Sequence, residues 1–375
     1  MAASHDYQYM ARALQLARRG LYTTDPNPRV GCVLVNGGDV VGEGWHERAG
    51  EPHAEIHALG QAGERARGAT AYVTLEPCAH HGRTPPCVNA LVDAGVARVV
   101  TTMEDPNALV AGSGNKYLRE QGIQVDCGIM AHEAVALNPG FIKRMKTGLP
   151  YVRCKMGASL DGRSAMASGE SKWITGPDAR QDVQRLRARS SAVMTGIGTV
   201  LADDPSLNVR AGDIGEPEPA GGWRQPLRVI VDPRLSTPVD ARILAQPGET
   251  LIATTADDED IMEILTKAGA QVIRFPGSPD HVDLPAVLRH LAKLEVNEVL
   301  LETGAILSGA MVCAGLVDEL VVYMAPVLMG DKARGLFRTP EMDRMEDSIR
   351  LDITDLRAVG DDWRITAIPV NRDPR

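Results

Sequence analysis

Residues 53–87 contain the stretch that decides the interpretation of this chain: His53-Ala54-Glu55, followed by Thr74-Leu75-Glu76-Pro77-Cys78-Ala79-His80-His81-Gly82-Arg83-Thr84-Pro85-Pro86-Cys87. One imidazole and two thiolates, from His53, Cys78 and Cys87, form a three-ligand set for zinc. A structural zinc site would be closed by a fourth protein ligand, and nothing at finger-like spacing supplies one. The sequence therefore predicts a catalytic zinc ion with one coordination position open.

The residues around the ligands suit hydrolytic deamination. Glu55 lies two residues after the histidine and is the candidate proton carrier. Zinc lowers the pKa of a bound water from about 15.7 to about 7, which makes hydroxide available at neutral pH. His-x-Glu followed by Pro-Cys-x-x-Cys is typical of zinc deaminases that act on nucleobases, but here eight residues separate the two cysteines. The extra segment includes His80, Arg83 and Thr84, whose donors and cation suit a substrate that carries a phosphate.

The composition favours an ordinary two-domain enzyme. The chain has 375 residues, more than one hydrophobic core usually supports. Its formal net charge of −9 argues against a protein that holds nucleic acid on a broad basic face. No apolar run approaches the length of a membrane span, residues 1–20 lack the apolar region of a signal peptide, and the six cysteines are scattered. We expect a cytoplasmic enzyme that binds neither nucleic acid nor membranes, and the sequence is compatible with a homo-oligomer.

Apolar periodicity divides the chain into two alternating series, residues 1–147 and 148–375, with the boundary in the segment Lys146–Pro150. The first series predicts a hairpin over residues 30–45, strands at 71–75, 98–102 and 123–127, and helices that include 53–66, 86–94 and 132–146. We expect a three-layer α/β/α fold whose later strands are largely parallel. Both ligand segments stand at predicted helix starts, where backbone N–H groups would favour the thiolate of Cys87.

The second series opens with an apolar run at 151–156 and predicts strands at 192–195, 227–231, 250–254, 271–274, 298–301 and 319–324. Residues 211–226 are rich in glycine and proline, so we expect a surface excursion there. The run Glu302-Thr303-Gly304-Ala305-Ile306-Leu307-Ser308-Gly309 follows a strand, and glycines in such a turn let backbone amides approach a pyrophosphate. A tight turn explains the run equally well, and no Gly-x-Gly-x-x-Gly follows the first strand of the series.

Several residues of the metal segment and its surroundings have competing interpretations. His57 stands four residues after the first ligand, as in a zinc-protease helix, but the glutamate of that motif would occupy position 54, which is alanine. His80 and His81 could be metal ligands, although three ligands are already present. His46 could simply end its strand near the site. The remaining cysteines lie in apolar runs and are expected to be buried: Cys32, Cys127, Cys154 and Cys313.

Together these motifs resemble a known family, the bifunctional deaminase/reductases of riboflavin biosynthesis, in the cytidine-deaminase superfamily. In the first half the resemblance rests on Pro26-Asn27-Pro28-Arg29-Val30-Gly31, His53-Ala54-Glu55 and the block from Glu76 to Cys87. It implies a cytidine-deaminase-like α/β/α domain that removes the 2-amino group of 2,5-diamino-6-ribosylamino-4(3H)-pyrimidinone 5′-phosphate. It also implies that His53, Cys78 and Cys87 bind zinc and that Glu55 shuttles protons. The implied substrate contacts are Asn27, His80, Arg83 and Thr84.

In the second half the resemblance rests on Lys155-Met156-Gly157-Ala158-Ser159-Leu160-Asp161-Gly162, Ser168-Gly169-Glu170-Ser171-Lys172-Trp173-Ile174 and Thr199-Val200-Leu201-Ala202-Asp203-Asp204-Pro205. It implies a dihydrofolate-reductase-like α/β domain that takes hydride from NADPH and reduces the ribosyl group to ribityl, giving 5-amino-6-(5-phosphoribitylamino)uracil. The implied NADPH contacts are Gly157, Trp173, Thr199, Asp203, Gly304, Ala305, Ile306, Leu307, Ser308, Gly309 and Ala310. The implied substrate contacts are Ser171, Arg187, Leu207, Arg210 and Glu302. Lys155 and Asp203 are the candidate polar groups at the hydride-transfer centre.

Two positions depart from the family pattern. Ala108 follows Asp105-Pro106-Asn107 where a second proline is expected, and Thr303 occupies a position where a small residue is commoner. Without the resemblance, the arginines assigned to substrate could be solvated cations, and Trp173 could belong to a core. Two rival functions are a deaminase with a non-catalytic second half, which failure to bind NADPH would favour, and a non-enzymatic zinc-stabilised module, which unfolding on chelation without deaminase activity would favour.

Overall fold

The computed structural model describes residues 4–79, 86–108 and 110–370. Three predicted substrate contacts, His80, Arg83 and Thr84, therefore lie outside the described residues, as does His81. The chain divides into two compact units, Met1–Leu149 and Pro150–Arg375. Each unit has its own principal sheet and its own hydrophobic core.

The strands of the first unit are β1 (Gly31–Asn36), β2 (Asp39–Trp45), β3 (Thr70–Val73), β4 (Arg98–Thr101) and β5 (Gln124–Cys127). Its helices are α1 (Ser4–Ala17), α2 (Ala54–Ala62), α3 (Cys87–Asp93), α4 (Ser113–Glu120), α5 (Ala131–Leu137) and α6 (Pro139–Thr147), with 3-10 turns at Arg18–Gly20 and Gly63–Ala66. The sheet order is β2-β1-β3-β4-β5, in which β1 is antiparallel to both neighbours and β3, β4 and β5 are parallel. The predicted three-layer α/β/α arrangement is confirmed.

Alternation along β1 explains the layers. Cys32 and Leu34 pack on α2, α3 and α4, whereas Val33 and Val35 pack on α1 and α5. Successive side chains of a strand point to opposite faces, so a strand that is apolar at every position needs helices on both sides. The predicted hairpin turn is also confirmed, because Gly37 adopts a positive φ together with its neighbour, as a two-residue turn requires.

Helix α2 lies directly against the backbone of β2. A Cβ atom at Gly42 would stand 2.1 Å from the carbonyl oxygen of Ala58, and one at Gly44 would stand 2.3 Å from that of Ala54. Both distances are far below van der Waals contact, so only glycine fits at these two positions. This close approach sets the height of α2, and with it the start of the helix at His53, above the sheet.

The predicted helix over 132–146 is wrong, since two helices occupy this region. α5 ends at Leu137, and Pro139 begins α6, because proline cannot donate to a preceding turn but suits the first position of a helix. Asn138 between them clamps Arg29: its Oδ1 accepts the Arg29 N–H at 2.8 Å, and its Nδ2 donates to the Arg29 carbonyl at 3.0 Å. The clamp fixes the end of the segment 26–29.

The strands of the second unit are β6 (Tyr151–Ser159), β7 (Arg163–Ala165), β8 (Ala192–Gly196), β9 (Leu227–Val231), β10 (Thr250–Thr254), β11 (Ala270–Arg274), β12 (Gly277–Ser278), β13 (His281–Val282), β14 (Glu298–Leu301), β15 (Glu319–Ala325), β16 (Arg334–Gly335), β17 (Leu351–Val359) and β18 (Asp362–Pro369). Its helices are α7 (Pro177–Arg189), α8 (Ile197–Asp203), α9 (Glu259–Lys267), α10 (Leu284–Lys293) and α11 (Ala305–Cys313), with 3-10 turns at Ala211–Asp213 and Met345–Asp347.

Nine of these strands form one sheet in the order β11-β10-β9-β8-β14-β6-β15-β18-β17. The seven strands from β11 to β15 are parallel, and β18 and β17 add an antiparallel hairpin at one edge. All six predicted strands are present, and the excursion over 211–226 contains only a 3-10 turn among its helices and strands. The sequence analysis missed the β17–β18 hairpin, although apolar and polar residues alternate at the start of β17.

The parallel strands bring three chain segments to one edge of the second sheet. β6, β8 and β14 are consecutive in the order β8-β14-β6, and α8 and α11 begin just after β8 and β14. In open α/β sheets ligands bind at this carboxyl edge.

The burial expected for the four remaining cysteines is half correct. Cys32 and Cys154 are buried, whereas Cys127 and Cys313 are exposed. Cys127 is the last residue of the edge strand β5, and Cys313 is the last residue of α11, so neither is covered by a neighbouring element.

Candidate active sites

Three elements of the first unit bring the predicted metal ligands together. His53 is the N-cap residue of α2, Cys87 begins α3, and Cys78 lies in the loop after β3. The His53 Nδ1 atom lies 3.2 Å from the Cys87 Sγ and 3.6 Å from the Cys78 Sγ, and all three ligand atoms lie within 4.8 Å of one another. Within the described residues no other group of three His, Cys, Asp or Glu side chains meets this criterion.

The spacing of the ligand atoms fits a zinc ion. Zinc bonds of about 2.1 Å to nitrogen and about 2.3 Å to sulfur, at a tetrahedral angle, separate the two ligand atoms by about 3.6 Å. The two nitrogen–sulfur distances here are 3.2 and 3.6 Å. Two thiolates and one imidazole leave the fourth tetrahedral position for water or substrate, as in a catalytic site.

Hydrogen bonds within the cysteine pair favour the thiolate of Cys78. Hydrogen bonding from the Cys87 thiol lowers the pKa of Cys78 to about 4, and His53 and the backbone N–H of Cys87, at 3.3 Å from the Cys78 sulfur, act in the same direction. The hydrogen bond to Cys78 and then burial raise the pKa of Cys87. The backbone N–H at the start of α3 therefore favours the thiolate of Cys78, and the expected effect of this helix start on Cys87 stays a prediction.

Glu55 lies in the first turn of α2 and is buried, with 3% of its surface exposed. Burial raises the pKa of its carboxyl, and the negative charge of Cys78 raises it further. A carboxyl with a raised pKa can both take and return a proton near neutral pH.

Asn27 is held beside the metal ligands by His46, a residue whose contribution the sequence analysis missed. The Pro52 carbonyl can only accept, so the His46 Nδ1 donates to it at 3.1 Å and carries the ring proton. The His46 Nε2 then accepts from the Asn27 Nδ2 at 3.0 Å. The His46 and His53 rings meet edge to face at 5.3 Å. His46 therefore binds the Asn27 amide through its nitrogen and not through its Oδ1.

Glu76 organises the loop beside Cys78, a second contribution that the sequence analysis missed. Its Oε2 accepts the N–H groups of Asp105 and Gly112 at 2.8 and 2.9 Å, and its Oε1 accepts those of Gly114 and Asn115 at 2.8 and 3.0 Å. The side chain is only 6% exposed. One buried carboxylate thus ties the backbone of Asp105 to that of residues 112–115. The signal in the sequence was a glutamate at the end of a buried strand, directly before Pro77.

The second unit pairs three of its predicted site residues. The Arg187 guanidinium binds both oxygens of the Glu302 carboxylate, at 2.5 and 3.0 Å, and the Lys155 Nζ lies 3.8 Å from the Glu302 Oε2. Burial alone would raise the pKa of Glu302, but the Arg187 charge and hydrogen bond lower it overall. Burial lowers the pKa of Lys155. Arg187, whose side chain is 11% exposed, is therefore an ion-pair partner of Glu302 and not a solvated cation.

The turns after β8 and β14 are joined by hydroxyl groups. The Gly304 N–H donates to the Thr199 Oγ1 at 3.2 Å, and the Gly196 N–H donates to the Thr303 Oγ1 at 3.1 Å. Neither α8 nor α11 has a side-chain N-cap bond. Gly304 is exposed, and a Cβ atom there would meet only the Thr199 Oγ1, at 3.8 Å. An open, uncapped helix start of this kind fits the phosphates of a dinucleotide.

The residues of the run Gly304–Ala310 differ in their exposure. Ile306 and Ala310 are exposed, whereas Ser308 and Gly309 are buried. The Ser308 hydroxyl contacts the sulfur of Met156 at 3.5 Å, and a Cβ atom at Gly309 would stand 2.1 Å from the carbonyl oxygen of Arg338. Ser308 and Gly309 therefore pack α11 within the fold.

The remaining predicted residues lie in separate surroundings. The Lys172 Nζ pairs with the Asp203 carboxylate at 3.5 Å, just after Ser171, so Asp203 and Lys155 have different partners. Trp173 is 72% exposed with the Arg180 guanidinium 4.7 Å above its ring, which excludes a core role. Arg210 pairs with Asp213, and Leu207 is buried in the core. Gly157 faces the Thr175 side chain.

Asp161 ties two loops of the carboxyl edge together. Its carboxylate accepts the Ser159 hydroxyl at 2.5 Å and the N–H groups of Met329 and Gly330 at 3.1 and 2.8 Å. These bonds, led by that from Ser159, lower its pKa to about 2. The β6–β7 turn is therefore fixed to the segment after β15.

No helix within the described ranges is both long and apolar enough to cross a membrane. Two family models match the chain: "RibD C-terminal domain" over residues 150–365, and "Cytidine and deoxycytidylate deaminase zinc-binding region" over residues 3–103. The first covers more than half of the chain, and the second contains all three predicted metal ligands, His53, Cys78 and Cys87.

Relatives match over almost the whole length. The chain is 52% identical over 364 residues to the riboflavin biosynthesis protein RibD of Escherichia coli strain K12, which covers 95% of this chain and 97% of the relative. It is 48% identical over 377 residues to RibD of Haemophilus influenzae, with 98% of each chain covered.

Two solved structures have the same fold over both units. Acinetobacter baumannii RibD superposes with a TM-score of 0.90 at 47% identity, covering 98% of this chain and 99% of the other. A diaminohydroxyphosphoribosylaminopyrimidine deaminase/5-amino-6-(5-phosphoribosylamino)uracil reductase from Thermotoga maritima superposes with a TM-score of 0.84 at 30% identity, with coverages of 98% and 99%.

Proposed function

This chain belongs to the RibD family of riboflavin-biosynthesis deaminase/reductases, and from that membership we propose that it carries out two successive steps on one phosphorylated pyrimidine. The first removes the 2-amino group of 2,5-diamino-6-ribosylamino-4(3H)-pyrimidinone 5′-phosphate. The second uses NADPH to reduce the ribosyl group to ribityl. We assign the deaminase to residues 1–147 and the reductase to residues 148–375.

The observation that carries the deaminase is a buried carboxyl beside a three-ligand zinc site. A zinc ion held by His53, Cys78 and Cys87 would supply a water whose pKa is lowered to about 7. Glu55 would then carry two protons in turn: the first from the attacking water to the ring nitrogen, and the second from the new hydroxyl group to the departing amine. Water and amine thereby become ring carbonyl and ammonia. The raised pKa of Glu55 suits both transfers.

Asn27 orients the pyrimidine in this scheme. Because its Nδ2 donates one hydrogen to His46, the amide cannot flip without losing that bond. Its Oδ1 and second N–H hydrogen can then face the substrate with a fixed polarity. The eight-residue segment between the two cysteines is the proposed site for the substrate phosphate.

The reductase assignment rests on the carboxyl edge of the second sheet. NADPH supplies the hydride, and the chain orients cofactor and sugar. The uncapped start of α11 is the proposed phosphate site, where the Gly304 N–H meets the Thr199 hydroxyl. Hydride addition at C1′ opens the ribose ring, and the ring oxygen that leaves must take a proton. Lys155 is our candidate donor, because burial lowers its pKa and Glu302 holds it in place.

The cellular setting is part of the proposal. The six cysteines are all free, which suits a reducing compartment, so we place the enzyme in the cytoplasm with small phosphorylated pyrimidines as its substrates.

Replacing Glu55 by Gln tests the deaminase. The E55Q variant should release ammonia about 10²–10⁴ times more slowly, because the proton carrier is lost, while its zinc content stays unchanged. NADPH oxidation with previously deaminated substrate should continue at the wild-type rate. The matched control is Glu64→Gln, an exposed glutamate of the same unit. Normal ammonia release by E55Q would contradict the role of Glu55, and loss of both activities in a folded E55Q variant would contradict separate sites.

The order of the two steps is tested on the wild-type enzyme. If NADPH is oxidised equally fast with the amino substrate and with its deaminated oxo product, the proposed order is contradicted.

A further inference from the structure

Two strand-to-helix turns lie side by side at the carboxyl edge of the second sheet, because β8 and β14 are neighbours. The first turn leads from Gly196 into α8, and the second leads from Glu302 into α11. Both helix starts lack a side-chain cap of their own. Beyond the pairing of β8 with β14, the turns are joined to each other by two hydrogen bonds.

Two threonines form these bonds reciprocally. Thr303 in the second turn accepts the N–H of Gly196 at 3.1 Å, and Thr199 in the first helix accepts the N–H of Gly304 at 3.2 Å. Each turn thus supplies one N–H donor and one hydroxyl acceptor to the other. Because each hydroxyl accepts through its oxygen, its own proton can still be donated elsewhere.

Thr303 and Thr199 differ in what surrounds them. A Cβ atom at Gly196 would stand 3.3 Å from the Thr303 Oγ1 and 3.5 Å from the Leu307 side chain, so Thr303 fills the space between the turns. At Gly304 the corresponding nearest atom is the Thr199 Oγ1 at 3.8 Å, and Gly304 itself is exposed. Both threonines are half-buried: Thr199 lies beside the exposed Gly304, and Thr303 lies beside Gly196.

We propose that Thr303 is a positioning residue for the cofactor: its hydroxyl joins the β8–α8 and β14–α11 turns and so fixes the start of α11, the proposed NADPH phosphate site, against the end of β8. The inference rests on the reductase function proposed above. Thr303 acts through the turns without touching the cofactor. A residue without an acceptor at this position leaves the Gly196 N–H without its partner and loosens the phosphate site, which weakens binding without altering hydride transfer.

The test compares Thr303→Val, which keeps the shape but removes the acceptor, with Thr303→Ser, which keeps the hydroxyl. The dissociation constant of NADPH is measured by calorimetry on the full-length, zinc-loaded protein, together with KM for NADPH and kcat of the reductase. T303V should raise the dissociation constant and KM about tenfold and leave kcat within about twofold, since one backbone hydrogen bond is lost. T303S should bind NADPH within about twofold of wild type, and ammonia release should be unchanged in both.

Three outcomes would overturn the inference. T303V with wild-type affinity would show that the bond does not matter, and T303S as weak as T303V would point to packing by the methyl group. A fall in kcat with unchanged KM would indicate a role in chemistry. If T303V does not fold, Thr303→Ala replaces it with the same expectation. Absence of NADPH binding by the wild-type protein would instead refute the reductase function itself, so the two failures are distinguishable.

Discussion

Replacing Glu76 by Gln should loosen the loop beside Cys78 where it is bonded to residues 105 and 112–115, while leaving the shape of the side chain almost unchanged. The carboxylate accepts four backbone N–H groups, two on each oxygen. Glutamine keeps one oxygen and replaces the other by an NH₂ group, which is a donor. Two of the four N–H groups then face a donor in a place that water does not reach, because the Glu76 side chain is 6% exposed.

The structure gives the size of the effect. A buried N–H group without an acceptor costs about 1–3 kcal/mol, so two of them reduce the free energy of local opening by about 2–6 kcal/mol. At about 1.4 kcal/mol for each factor of ten, the loop should open at least about 30 times more often. Because Cys78 follows Glu76 by two residues, zinc affinity should fall as well.

Hydrogen exchange at the amides of residues 105, 112, 114 and 115 measures this opening directly. The matched control is Glu104→Gln, which makes the same change of charge on an exposed side chain of the adjoining segment. E76Q should speed exchange at these four amides, and E104Q should not. Exchange in E76Q within about threefold of wild type, or equal acceleration in both variants, would refute the reasoning.

Two further predictions concern single hydrogen-bonded groups. His46→Ala should raise KM for the deaminase substrate about tenfold with zinc content unchanged, and adding Asn27→Ala should cost little more, because both changes remove the same oriented amide; additive losses in steady-state kinetics would contradict this. Asp161→Asn should speed exchange at the amides of residues 329 and 330 at neutral pH. The pKa of Asp161 is lowered from 3.8 to about 2, so its stabilisation is complete above 3.8 and is lost as pH falls toward 2. The wild-type and D161N rates should therefore converge on acidification, and a constant difference would exclude the carboxylate as the cause.

The sequence was sufficient for those parts of the fold that depend on local pattern. All six strands predicted in the second half are present, because each is a short apolar run between turn residues. The zinc ligands could be recognised because His53, Cys78 and Cys87 lie within one short segment and carry a distinctive order of residue types. The prediction of one helix over 132–146 was wrong because apolar periodicity continues through this region, whereas Pro139 begins a second helix.

What the sequence could not supply are bonds between distant residues. Arg187 and Glu302 are 115 positions apart, and the sequence around either residue does not indicate that they pair. The same holds for Arg29 and Asn138, which are 109 positions apart. Burial of cysteines failed for a related reason: an apolar run predicts an element, but whether its last residue is covered depends on which neighbour the fold provides.

Gly42 and Gly44 have a consequence for how this enzyme can lose one activity and keep the other. These two residues carry no functional group, yet they set how far α2 stands from β2 and hence where His53 meets the cysteines. A single added methyl at either position would lift the helix and draw the imidazole away from the metal. Inactivation of the deaminase therefore requires no change at any ligand, and a gene that preserves every zinc-binding residue can still encode an enzyme that only reduces.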